Sequence, residues 1–164
     1  MTESFRNSKT TINIQEKANL IWSVADIIGQ GLYKPHEYGK IILPMTVIKR
    51  FNDTLMPTKQ AVLDAYEKVK HLEVISPFLE PVSGYSFYNT SPYTFDNLTD
   101  DSEHIEDNFR TFLAGFSDNV KDILDNFEFD KEITKLANNN MLFLIIQEFN
   151  KKKAYMGPDE ISSV

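Results

Sequence analysis

Apolar residues recur at three- and four-residue spacing through most of this 164-residue chain, and nowhere does a strand pattern alternate with a helical one. That spacing constrains the fold more than any other feature, because it gives each segment one apolar stripe that must be covered by another helix. Ala18, Leu20, Ile21, Val24, Ala25, Ile27 and Ile28 carry the first run, with Gly29 and Gly31 closing it. Asn13-Ile14-Gln15-Glu16 has capping-box spacing and predicts the start. Trp22, the only tryptophan, reads as a packing anchor.

Lys34-Pro35-His36-Glu37 predicts a second start, and Pro44 inside the following pattern predicts a kink or a restart. Pro57 opens a third amphipathic segment. From Ser76 to Asn97, prolines and Gly84 break the pattern among the aromatics Tyr85, Phe87, Tyr88, Tyr93 and Phe95, which predicts an irregular or hairpin-like excursion. Helical spacing resumes at Ile105. Ser117, Asp130 and Asn139 or Asn140 are the expected starts of three further helices, the last containing "MLFLII". The expected fold is all-α: a bundle of about seven helices with a short insertion near residues 76–97. Residues 1–12 are expected to be a flexible N-terminus, 13–153 the helical domain, and 154–164 a linker stub without core pattern.

The absence of cysteine removes disulfides, thiolate nucleophiles and cysteine-held zinc. The three histidines show no metal-ligand spacing, and the acidic run Asp100–Glu103 lacks a calcium-loop pattern. That run instead suits the start of a helix near His104. With no apolar leader and no spanning-length apolar run, a cytoplasmic protein is the expectation.

Net charge is −7, yet it divides unevenly: residues 1–70 hold ten Lys/Arg and seven Asp/Glu, residues 71–164 seven and seventeen. The first part, at +3, is the better place for phosphate contacts; the second, at −10, would suit a basic partner or mimic nucleic-acid charge. An independent acidic helical interaction module, with a regulatory role and no chemistry, is therefore one reading.

Thr90-Ser91-Pro92-Tyr93 approaches the Asn-Pro-Pro-Tyr loop of enzymes that methylate base amino groups. Such a loop needs a second proline and a glycine-bearing turn after a strand, where the backbone approaches the cofactor. The one G-x-G, Gly29-Gln30-Gly31, closes a helical run and follows no strand pattern, and Pro92 stands alone. The fragment is expected to be a bend whose aromatics pack against helices. No catalytic, cofactor-binding or metal-ligating residue is assigned.

Taken in order, "ANLIWSVADIIGQGLYKPHEYGKIILPMTVIKRFNDTLMPTKQAVLDAY", "FYNTSPYTFDNL" and "NFRTFLAGFSDNVKDILDNFEFDKEITKLANNNMLFLIIQEF" resemble the helical N-terminal domain of the modification (methyltransferase, M) subunit of type I restriction-modification enzymes. The resemblance spans roughly residues 13 to 155, with "ILP-x-x-V-x-[KR]-R" and "YNTS" as landmarks. It implies adenine-N6 methylation of DNA using S-adenosylmethionine, in a Rossmann-like domain expected beyond Val164. It also implies assembly with a specificity subunit, a second modification subunit and a restriction subunit, and a role in clamping double-stranded DNA. The 164-residue chain alone is expected to be inactive. Exposed cations on a rigid element suit phosphate, so Lys49 and Arg50 are the leading DNA-contact candidates, followed by Lys34 and Lys40.

Overall fold

In the computed structural model, the backbone of residues 2–158 and the side chains of residues 14–158 are described. The elements run α1 (Thr2–Ile28), α2 (Gly39–Leu55), α3 (Lys59–Val69), α4 (Ser76–Ser83), α5 (Phe95–Leu98), α6 (Ile105–Ala114), α7 (Asp118–Asn126), α8 (Asp130–Asn138) and α9 (Leu142–Phe149). Single 3-10 turns precede α2 and α3 and follow α9. The molecule is an all-α bundle. Among the described residues, the only extended pairing is one antiparallel bridge between Asn89 and Phe116.

Two cores hold these elements. The larger gathers α1, α2 and α5–α9 around five almost completely buried phenylalanines: Phe95, Phe109, Phe112, Phe116 and Phe149. Phe95 meets Phe112 edge-on with centroids 5.9 Å apart, an arrangement that adds quadrupole attraction to area burial. A smaller cluster of Val62, Leu79 and Tyr88 fastens α4 to α3.

Several local expectations need correction. α1 runs through Asn13, so the expected capping box does not start it. Trp22 is 70 % exposed and anchors nothing within the described fold. α2 continues through Pro44 without restarting. Proline inside a helix costs about 3 kcal/mol, but Ile41, Met45 and Ile48 on the same element are fully buried and their packing outweighs it.

The 76–97 stretch also contains more helix than its prolines suggested. Pro77 lies in the first turn of α4, where the amide would be unpaired in any case. Leu79 and Ser83 then bury against α3 strongly enough to tolerate Pro81. Gly84 ends α4 at φ +84°, a left-handed conformation open to glycine without a Cβ penalty. Only residues 84–94 are irregular as expected.

The tail was expected to lack core residues. Ala154 and Met156 are instead buried in the main core, and Lys153 Nζ donates to Ser23 Oγ at 2.7 Å, tying the tail to α1. The rest of the expected linker, residues 159–164, lies outside the described residues.

Candidate nucleic-acid interface

The two leading candidates turn inward. Lys49 is 7 % exposed, pairs with Asp53 at 3.1 Å one turn along α2, and lies 5.3 Å from the Phe95 ring centre. Asp53 also accepts from Asn52 Nδ2 at 2.9 Å and from the Met156 amide at 2.8 Å. Arg50 Nη1 donates to the Met156 carbonyl. The "KRFND" stretch therefore grips residue 156 by both backbone polar groups. It also receives the Phe95 amide on Asn52 Oδ1 at 3.1 Å. Burying a lysine is tolerable here because a carboxylate and an aromatic face replace water. Lys49 is not an exposed cation, and Arg50 is half-buried with a task of its own.

Lys34 and Lys40 fit the expectation of exposed cations. The turn at Pro35–Glu37 between α1 and α2 carries them, with Glu37 between. The Lys34 amide donates to Glu37 Oε1 at 3.0 Å, and Lys40 Nζ lies 3.6 Å from Glu37 Oε2. The Lys34 amide bond, ahead of the neighbouring cations, holds the Glu37 carboxyl below its ordinary range.

A cation far away in sequence joins them. Lys135 of α8 stacks over the Tyr33 ring at 4.2 Å and is near enough to act on Glu37. Tyr33 is pinned beneath it by a 2.5 Å hydrogen bond to buried Glu132. Burial first, then Glu132, push the Tyr33 phenol well above its usual value, so it stays a neutral donor. Tyr33, Lys135 and Glu132 were not legible as part of this patch, since about a hundred residues separate the two segments. The result is a partly neutralised basic corner built from two helix ends.

The "NTSPYTF" segment performs a different task. Asn89 Oδ1 accepts from Ser91 Oγ at 2.6 Å, from the Ser91 amide at 2.9 Å and from Lys59 Nζ at 2.9 Å. Asn89 Nδ2 donates to the Phe112 carbonyl at 2.8 Å, and the Thr90 amide donates to the Gly115 carbonyl at 2.8 Å. Thr94 and Asn97 cap α5 reciprocally. Tyr93 is half-buried, with its hydroxyl donated to Asn108 Oδ1 at 3.0 Å. Asn89 thus serves as a buried junction between α3, α6 and the 84–94 segment, and Pro92 is an exposed bend beside it.

Further features bear on chemistry. Among the described residues, no group of three or more His, Asp or Glu side chains could hold a metal ion. Among the described residues, no glycine opens a strand-to-helix turn. Asp101 accepts from the His104 amide at 3.2 Å ahead of α6, in keeping with the helix-start reading of the acidic run. No described helix is long and apolar enough to cross a membrane.

This architecture defines an all-α helical domain, held by an aromatic core and buried polar junctions. A family model described as the HsdM N-terminal domain matches residues 17–149. The chain belongs to that family: it is the N-terminal helical domain of a type I restriction-modification M subunit. The match covers both landmark blocks, "ILPMTVIKR" and "YNTS". No curated protein and no solved structure shows significant similarity to the chain.

Proposed function

We propose that this domain helps assemble a type I DNA adenine-N6 methyltransferase and hold it on double-stranded DNA. On this reading S-adenosylmethionine and the methyl transfer belong to a catalytic domain beyond residue 164, and the isolated chain transfers no methyl group. The family match over residues 17–149 carries the proposal. The partners are the specificity subunit, a second M subunit and the restriction subunit.

Two surfaces support the reading. Lys34, Lys40 and Lys135 form a corner on rigid helix ends where phosphate oxygens would meet several cations. Along α1, Ile14 (66 % exposed), Ile21 (47 %) and Trp22 (70 %) fall on one face at seven- and eight-residue separations. An exposed apolar stripe with a tryptophan is the usual composition of a subunit contact.

DNA binding by the assembled enzyme, titrated against salt, tests the corner. With Lys34→Glu and Lys40→Glu together, affinity should fall and the plot of log K against log salt should flatten by about one to two. An unchanged slope places the DNA face elsewhere.

A further inference from the structure

An open cleft of about 400 Å³ lies between α6, α7 and α8, and none of the residues assigned above to DNA lines it. Its floor is apolar: Ile48 of α2, Leu124, Phe129 and Ile133 are buried beneath it, and Leu113 forms part of the wall. One end is braced. Arg110 donates to Asp130 Oδ1 at 2.6 Å and Thr134 Oγ1 at 2.7 Å, and pairs with Glu106 at 3.2 Å. Its charge is thereby met within the fold, and α6 is held to α8 at a fixed spacing.

The rim is acidic. Three carboxylates line the cleft, Asp125, Glu128 and Asp130, against Lys121 and the already paired Arg110, and Asp118 and Asp122 lie in the same segment of the chain. Lys121 is itself 3.6 Å from Asp118. Asp125 and Glu128 are exposed at the mouth, and among the described residues Asp125 has no ion pair while Glu128 has one long contact, 3.8 Å, with Lys131. Such a field repels phosphate and draws cations. The cleft is too open to engulf a small molecule, whereas an apolar side chain projecting from a helix would be covered by its floor.

We propose that this cleft is a docking site for a basic amphipathic helix of a partner protein. An aliphatic side chain of that helix enters over Leu124 and Ile133, and a lysine or arginine about one turn away reaches Asp125 and Glu128. The site is separate from the DNA-contact corner, so either assignment can fail without the other.

The experiment titrates the isotope-labelled 164-residue chain with three synthetic helical peptides, followed by amide chemical shifts. The first carries leucines on one face and lysines elsewhere; the second keeps the leucines with glutamates; the third keeps the lysines with serines for leucines. The first should bind with shifts centred on Leu113, Ala114, Lys121 and Leu124. The second and third should bind roughly tenfold more weakly or not at all. Asp125→Lys with Glu128→Lys, and separately Ala114→Arg, should each weaken the first peptide roughly tenfold with circular dichroism unchanged, since all three positions are exposed. Equal binding of the leucine-free peptide, or shifts centred on another surface, would overturn the proposal.

Discussion

The ammonium of Lys59 donates to the carboxamide oxygen of Asn89 at 2.9 Å inside the protein, and among the described residues no carboxylate pairs with it. Thirty residues separate the two. Their contact joins the first residue of α3 to the junction where the 84–94 segment meets α6, and the Phe112 ring lies 5.9 Å from the ammonium. A dipole and a ring face compensate a buried charge less well than a carboxylate would.

Burial pushes Lys59 from its ordinary 10.5 down to about 8. Between those values the unfolded chain binds the proton and the folded chain does not, so stability must rise with pH across that window. Below about 8 both states are charged and the full cost of burying the ammonium is present. Compared with Lys59→Met, the wild-type chain should gain on the order of 2 kcal/mol between pH 7 and pH 10, measured by urea unfolding. A pH-independent difference between the two proteins would refute this.

Gly115 marks a close approach. A Cβ there would lie 2.7 Å from both the Ser91 amide nitrogen and Ser91 Cβ, and 3.0 Å from Asn89 Oδ1. Backbone on one side and a saturated carboxamide on the other leave little to yield. Gly115→Ala should cost about 1–3 kcal/mol, lowering Tm by several degrees in thermal unfolding. A Tm at or above wild type would mean the junction relaxes freely.

The Lys49–Asp53 pair is buried on both sides, with side-chain exposures of 8 % and 3 %. Asp53→Asn strands the ammonium and weakens the grip on Met156, so it should destabilise by about 3–5 kcal/mol. Replacing both partners, Lys49→Met with Asp53→Leu, removes the stranded charge and should recover part of that loss. A double variant no better than Asp53→Asn would show that the Met156 contact, rather than the charge, dominates.

Glu128 ends α7 at φ +51°, a left-handed conformation that side chains adopt at a cost of about 1–2 kcal/mol. Glu128→Gly should therefore raise Tm by a few degrees, although glycine is the more flexible residue in the unfolded chain. Asn140, at φ +58°, tolerates this region through its own short side chain, and Asn140→Gly should change Tm much less. Equal effects at the two sites would remove backbone strain as the cause.

Much of the bundle was legible in the order of residues. The stripe Ile105, Phe109, Phe112, Leu113 and Phe116 predicts one buried face, and all of these are buried except Leu113, which is half-buried. Ser117 does precede α7, but its hydroxyl serves the Tyr88 amide at 3.3 Å and Asn119, and the Val120 amide is met by Asn119 Oδ1 at 3.0 Å. The phosphate candidates were only half legible. Lys34 and Lys40 are as exposed as their setting suggested, whereas Lys49 lies inside. The four-residue offset from Lys49 to Asp53 was a signal that an internal pair could form.

The sequence by itself determined that this chain is helical, which faces carry the core, and that it belongs with the N-terminal domains of type I modification subunits. Those properties are written in local spacing and in ordered blocks, and local spacing repeats along the chain whatever lies across from it. Only the tertiary structure decided which lysines face water, that Lys135 joins Lys34 and Lys40, and that "NTSPYTF" is a buried junction on Asn89. Each of these depends on contacts between segments tens of residues apart. A charge's role is set by what packs against it, and no spacing within one helix contains that information.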